Sequence, residues 1–312
     1  MKYFSIQGID KPCSSLVMGS VAFRPDALDR TFALMDEYVA LGGNAVDLAY
    51  IYNGGGSEIA FGKWLAARGA RDRLTIIDKG AHHDANGPRV NPEAIRRDLR
   101  TGLERMGIGS VDLYMLHRDD TSVPVSEIMD ALHEEKRAGR LSAIGVSNWT
   151  VDRIDEANAY ARARGQAEIA ANSPNLSLAV PVEPRWAGCV HADERTRAWH
   201  ARTQMPLLSW SSQAGGFFTG RFAPEDRGDP EMVRTYYSGD NWERLRRARE
   251  LGAKRGVGAN TVALAFVLHQ PFPIGALIGP MTVEELRSSF QASAVSLTQE
   301  EMDWLDLKRP AP

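Results

Sequence analysis

Cysteine is scarce. The 312-residue chain has two, Cys13 and Cys189, far apart and without metal-ligand spacing around either. A disulfide framework is therefore excluded, and a reducing compartment is the default. No apolar run approaches the ~18 residues of a membrane span. The N-terminus, Met-Lys-Tyr-Phe-Ser-Ile-Gln-Gly, lacks the apolar stretch of a signal peptide. The expectation is a cytoplasmic protein with no membrane partner. Charge of one sign is lacking too. The net charge of −3 gives no reason to expect nucleic acid as a partner. Arg244, Arg246, Arg247 and Arg249 stand at helical spacing beside Glu243 and Glu250, and read as a solvated helix face. No linker, repeat or low-complexity segment divides the chain, so one domain is expected over residues 1–312. No Gly-x-Gly-x-x-Gly opens a helix after an early strand, which argues against a Rossmann fold.

What is present is alternation, in a composition of 43% hydrophobic and 25% charged residues that suits a globular core. Short runs rich in Val, Ile and Leu alternate with amphipathic stretches of helical length, as in βα units. Strands are predicted near 15–18, 44–47, 74–78, 111–116, 143–146, 169–172, 206–210 and 276–278. Helices are predicted over 26–41, 57–67, 91–106, 126–138, 151–164 and 192–202, with two more between 241 and 269. Asn91 and Pro92 show the logic, a capping side chain followed by proline at the first helical position. Ser57 reads as a cap in the same way. Eight such strands predict an α/β fold, a closed (β/α)8 TIM barrel. Its long loops, 173–193 and 222–240, follow strands and belong at the catalytic, C-terminal face.

Four residues sit at the ends of successive strands: Asp47, Tyr52, Lys79 and His117. In a barrel they converge at one mouth. Carbonyl reduction brings hydride to carbon and a proton to oxygen. A free phenol, with a pKa of about 10, is poorly matched to neutral pH. A neighbouring ammonium lowers it and burial raises it. Tyr52 is then the general acid, Lys79 its tuner, Asp47 the group that orients Lys79, and His117 a hydrogen-bond donor to the carbonyl. Taken singly, each has a plainer reading as a helix cap, a solvated lysine or a structural histidine. Their joint placement is what carries the assignment.

These residues lie in Asp47-x4-Tyr52 followed by Gly-Gly-Gly-Ser-Glu, in Asp78-Lys79-Gly80, and in Asp112-Leu-Tyr-Met-Leu-His117. With Gly145-Val-Ser-Asn148 they occur in an order and at separations that closely resemble the aldo-keto reductase family. The resemblance runs from Met18 to Pro280 and implies direct hydride transfer from a nicotinamide cofactor. It makes Asp47, Tyr52, Lys79 and His117 the catalytic tetrad. It places Ser147, Asn148 and Asn172 at the nicotinamide carboxamide, the last where Gln is commoner. Trp210 would stack on the ring. Gly19, Ser20, Ser211 and Ser212 border the cofactor. Gln213, Gly215, Gly216, Phe217, Gly220 and Arg221 would form the loop over the pyrophosphate. Ile278, Gly279, Pro280, Met281, Glu285 and Ser289 fall at the adenosine end. There the chain departs from the NADP-dependent pattern, because Met281 is neutral and Glu285 replaces a cation, leaving Arg287 as the nearest substitute. NADP is the first expectation, with NAD as the alternative.

The substrate expected is a small carbonyl or polyol, with a sugar-like one suggested by the residues after His117. The same fold also serves as cofactor-holding subunits of channels, the second function carried forward. His82-His83-Asp84 suggests a metal, but adjacent histidines point apart and no third ligand has suitable spacing, so none is expected. His191 and His200 read as surface residues. Trp149 and Tyr50 are equally placed as pocket or core. Arg118, Asp119 and Asp120 read as a turn rather than as ligands.

Overall fold

The computed structural model describes residues 1–311. Its short apolar runs, buried on both faces, form parallel strands, and parallel strands need helical crossovers. Two small strands come first, β1 (Tyr3–Phe4) and β2 (Cys13–Ser14), paired antiparallel. Eight then follow: β3 (Leu16–Gly19), β4 (Ala45–Asp47), β5 (Thr75–Gly80), β6 (Val111–Leu116), β7 (Leu141–Ser147), β8 (Ile169–Ser173), β9 (Leu207–Ser209) and β10 (Ile274–Ile278). They close into a barrel in chain order, with β10 pairing both β9 and β3. All eight lie where the sequence predicts strands.

The helices α1 (Leu28–Ala40), α2 (Gly56–Arg68), α3 (Pro92–Met106), α4 (Val125–Arg137), α5 (Val151–Ala163) and α6 (Glu194–Thr203) connect β3 to β9. Between β9 and β10 run α7 (Pro230–Tyr236), α8 (Gly239–Arg255) and α9 (Ala259–Leu268). Last come α10 (Val283–Gln291) and α11 (Gln299–Leu305), which the periodicity does not reveal. Asn91 caps α3 as expected, accepting from the Ala94 amide. Ser57 does not cap. It lies inside α2 and donates to the carbonyl of Ser20, tying the helix to the strand-exit loop.

Two apolar cores result from the period-2 alternation of the strands. Leu16, Met18, Val46, Ile76, Tyr114 and Ile144 face outward into the helix layer. Val17, Ala45, Ile77, Leu113, Met115, Ala143, Ala171 and Leu208 face inward, and Ile6, Ile9 and Cys13 join them. That inner packing leaves the other mouth free. No helix of the described residues is long and apolar enough to cross a membrane.

Candidate active site

Parity decides what reaches the mouth. Ala45, Ile77 and Met115 point into the barrel. Two residues further on, the same face carries Asp47, Lys79 and His117. Tyr52 follows on a tight turn (Tyr52–Gly55) in which Asn53, Gly54 and Gly55 all take left-handed backbone. Lys79 Nζ donates to Asp47 Oδ1 at 2.5 Å and to the Leu48 carbonyl at 2.9 Å. It also lies 5.0 Å from the centre of the Tyr52 ring. The Tyr52 and His117 rings meet edge to face, 5.6 Å apart. The four expected residues thus come together at one rim.

Burial governs their protonation. It lifts the Tyr52 phenol above its ordinary value, against the pull of Lys79. The expected acidification does not win in this state, because burial outweighs the pull of Lys79 and Asp47 itself opposes phenolate. Burial also pulls Lys79 down, but Asp47 and Tyr52 outweigh it and the ammonium is retained, with its pKa raised. Asp47 is lifted by burial, with Lys79 opposing. Burial first, then Lys79, holds His117 far below the usual imidazole range, so the ring is neutral. The rim is therefore a protonated phenol beside a charged lysine and a neutral imidazole.

From this rim a cavity of about 1530 Å3 runs past Ser147, Asn148 and Trp210, along Ser211–Gln213 and Gly215–Gly216, to Gly279–Met281, Glu285 and Ser289. Gly19, Arg221 and Ile278 line it as well. Ser211, Ala214, Gly215 and Gly216 all have positive φ, and a Cβ on Gly216 would lie 2.4 Å from an Arg221 nitrogen. Gly258, Ala259 and Asn260 bring the N-terminus of α9 to the same wall. A turn of this kind beside a helix N-terminus suits a phosphate. The buried Asn260 Oδ1 has no partner among the described residues. The trough thus has the length and lining to fit a dinucleotide.

Four expected cofactor residues are not in that wall: Ser20, Asn172, Phe217 and Gly220. Asn172 is one residue out of phase. Its amide reaches His200 of α6, on the outer side, while Ser173 lines the cavity. Phe217 packs into an aromatic cluster with Phe218, Tyr236 and Trp242. Ser20 instead holds α2 through its carbonyl, and Gly220 is exposed. Asn148 does line the cavity, but its amide is engaged within the protein. Oδ1 accepts from Trp210 Nε1 and the Val190 amide, and Nδ2 donates to the His117 carbonyl and Ser147 Oγ. Its φ of 61° is one that Asn tolerates. Asn148 therefore braces Trp210 against the strand bearing His117.

Several lining residues escaped the sequence reading. His82 lies 4.8 Å from the His117 ring and 4.0 Å from His83, and both line the mouth. Burial holds His82 down at about 4, so it too is neutral. The loop after β8, expected to be functional, supplies Arg185, Trp186 and Cys189. Trp186, 46% exposed, packs against Trp210 with ring centres 5.6 Å apart. Glu231 holds it there, binding both its indole NH and Arg185. The other expected loop, 222–240, contains α7 and contributes Arg234. Trp149 is core, its NH donating to the Arg118 carbonyl, and Tyr50 lies beneath Arg105. His200 is fully buried and bound to the Met205 carbonyl, not at the surface. Only its position in the sequence had suggested otherwise.

The model of the Aldo/keto reductase family matches residues 15–309. The norsolorinic acid reductase stcV of Emericella nidulans is 29% identical over 88% of this chain and 70% of its own. The oxidoreductase YrpG of Bacillus subtilis is 28% identical over 96% of this chain and 93% of its own. The aldo-keto reductase ausK of Emericella nidulans is 28% identical over 89% and 72%.

Proposed function

The chain belongs to the aldo/keto reductase family of oxidoreductases, and from that footing we propose that it reduces aldehydes or ketones to alcohols with a nicotinamide cofactor. The observation that carries this reading is the contact of Lys79 with Asp47 beneath the Tyr52 ring, next to His117, at the head of a dinucleotide-sized trough. When bound, the reduced nicotinamide supplies the hydride. Tyr52 keeps its proton at neutral pH and gives it to the carbonyl oxygen. Lys79, kept charged by Asp47, stabilises the phenolate that remains. His117, being neutral, donates a hydrogen bond to the same oxygen and orients it. Trp210, braced by Asn148, forms the wall for the ring.

For the cofactor, the adenosine end supports NADH over the NADPH first expected. Glu285 lines that end, with its carboxylate held by the Met281 amide at 2.7 Å. Arg287 is drawn away to Glu37 of α1, at 2.8 Å, and does not line the cavity. A carboxylate repels a phosphate, whereas it accepts a hydrogen bond from a ribose hydroxyl.

Tyr52→Phe tests the chemistry. It should lower kcat by ~10²-fold or more while leaving cofactor affinity nearly unchanged. A variant retaining over about a tenth of the wild-type rate would exclude Tyr52 as the acid, since positioned acids contribute at least ~10²-fold.

A further inference from the structure

Resting on that reading, we infer that the substrate carries a carboxylate near its carbonyl, and that Arg118 binds it. Arg118 follows His117 directly and lines the same cavity. It is only 9% exposed. Buried guanidinium groups need anionic partners, because an unpaired buried charge is costly. The other deeply placed arginines have them. Arg105 meets Glu58, Arg89 meets Asp98, Arg153 meets Glu156 and Asp119, and Arg244, buried rather than on the solvated helix face its spacing suggested, lies 4.0 Å from Asp306. Within the cavity itself, Arg185 is paired with Glu231 and Arg234 with Glu183, while Arg221, also without a carboxylate, is exposed to water and donates to the Gly215 carbonyl. Arg118 has no carboxylate within 4.0 Å among the described residues. Its one hydrogen bond runs from Nη1 to the His117 carbonyl at 2.9 Å, and its buried Nε has none. The acidic residues beside it are turned elsewhere. Asp119 meets Arg153, and Asp120 accepts from Ser122.

The surroundings reinforce the point. The charge of Arg118 acts on Tyr52, His117, His82 and Cys189, so it lies among the groups that would hold the substrate. None of them supplies an anion. The guanidinium fork matches a carboxylate in two parallel hydrogen bonds. His82 and His83, at the same mouth, offer further polar contacts. An oxo acid or a carboxylated aldehyde supplies both the carbonyl for Tyr52 and the missing counter-charge. A neutral sugar supplies only the first.

The test uses the intact enzyme with 4-carboxybenzaldehyde against its methyl ester, and 4-oxobutanoate against butanal. Wild type should prefer each acid in kcat/KM by about 10- to 100-fold, the range of a hydrogen-bonded charge pair. Most of the difference should lie in KM. Arg118→Gln should collapse the acid-to-ester ratio by a similar factor, and Arg118→Lys should keep part of it. Equal use of acid and ester by wild type, or a ratio unmoved in Arg118→Gln, overturns the inference. Benzoate binding, read by calorimetry on wild type and Arg118→Gln, needs no turnover. If no carbonyl is reduced yet benzoate binds only the wild type, the anion site stands and the reductase reading falls. If benzoate binds both forms alike or neither, the anion site falls.

Discussion

Lys79→Met is the most informative perturbation of the rim. Lys79 and Asp47 side chains are each 4% exposed and 2.5 Å apart. At an effective dielectric of ~20, their direct attraction is about 7 kcal/mol, much of it offset by the desolvation of both charges. Removing Lys79 strands a buried carboxylate. The chain's escape is to protonate Asp47, which from an ordinary pKa near ~3.9 costs about 4 kcal/mol at pH 7. That agrees with the ~3–5 kcal/mol typical of breaking a buried pair. At roughly 2 °C per kcal/mol for a chain of this size, Tm should fall by about 6–10 °C. The loss should shrink at pH 5, where protonating Asp47 is easier. The double variant Lys79→Met with Asp47→Leu removes both charges and should recover most of the stability. Its turnover should stay low, since nothing then stabilises the Tyr52 phenolate. Differential scanning calorimetry at both pH values and steady-state NADH oxidation read the two effects. The reasoning fails if the double variant melts as low as the single one, or if it regains more than a tenth of wild-type turnover.

Two further predictions concern other parts of the molecule. Glu285→Arg should shift the NADPH-to-NADH affinity ratio towards NADPH by roughly 10-fold or more, one charge-assisted contact being worth ~1.5–3 kcal/mol. Fluorescence titration with both cofactors measures it, and an unmoved ratio would show that Glu285 does not face the 2′ position. Asp78 points into the helix layer, where burial and Glu58 raise its pKa well above the ordinary carboxyl value. The folded state thus holds a proton that the unfolded chain releases near pH ~4, so stability from this group falls as pH rises above that. Asp78→Asn mimics the protonated form and should raise Tm at pH 7 while flattening its decline from pH 4. A lower Tm at both pH values would refute this.

Local signals made much of this legible. Apolar runs, their turns and the Asn91-Pro92 cap were enough to place the eight barrel strands and most of the helices. Helices α7, α10 and α11 were missed because they are short, and the apolar faces of the last two are completed by neighbours distant in sequence. The convergence of Asp47, Tyr52, Lys79 and His117 on one rim was legible because strand ends recur at regular spacing. Asn172 was misjudged because neighbouring residues in a strand face opposite ways, and the edge of a short apolar run does not fix that parity. Ser173 faces in and Asn172 faces out.

What the chain alone determined, then, was the alternation of strand and helix, and with it a barrel bearing a phenol, an amine, a carboxylate and an imidazole at one rim. Their protonation belonged to tertiary structure, because a pKa follows from burial and from charges brought near across the fold. So did the pairing of Arg89, Arg105 and Arg244 with acids brought near across the fold. Arg118 is one cation among many in the sequence. Only the folded barrel commits the neighbouring acids to other partners and leaves this guanidinium, buried beside the reacting groups, in need of an anion.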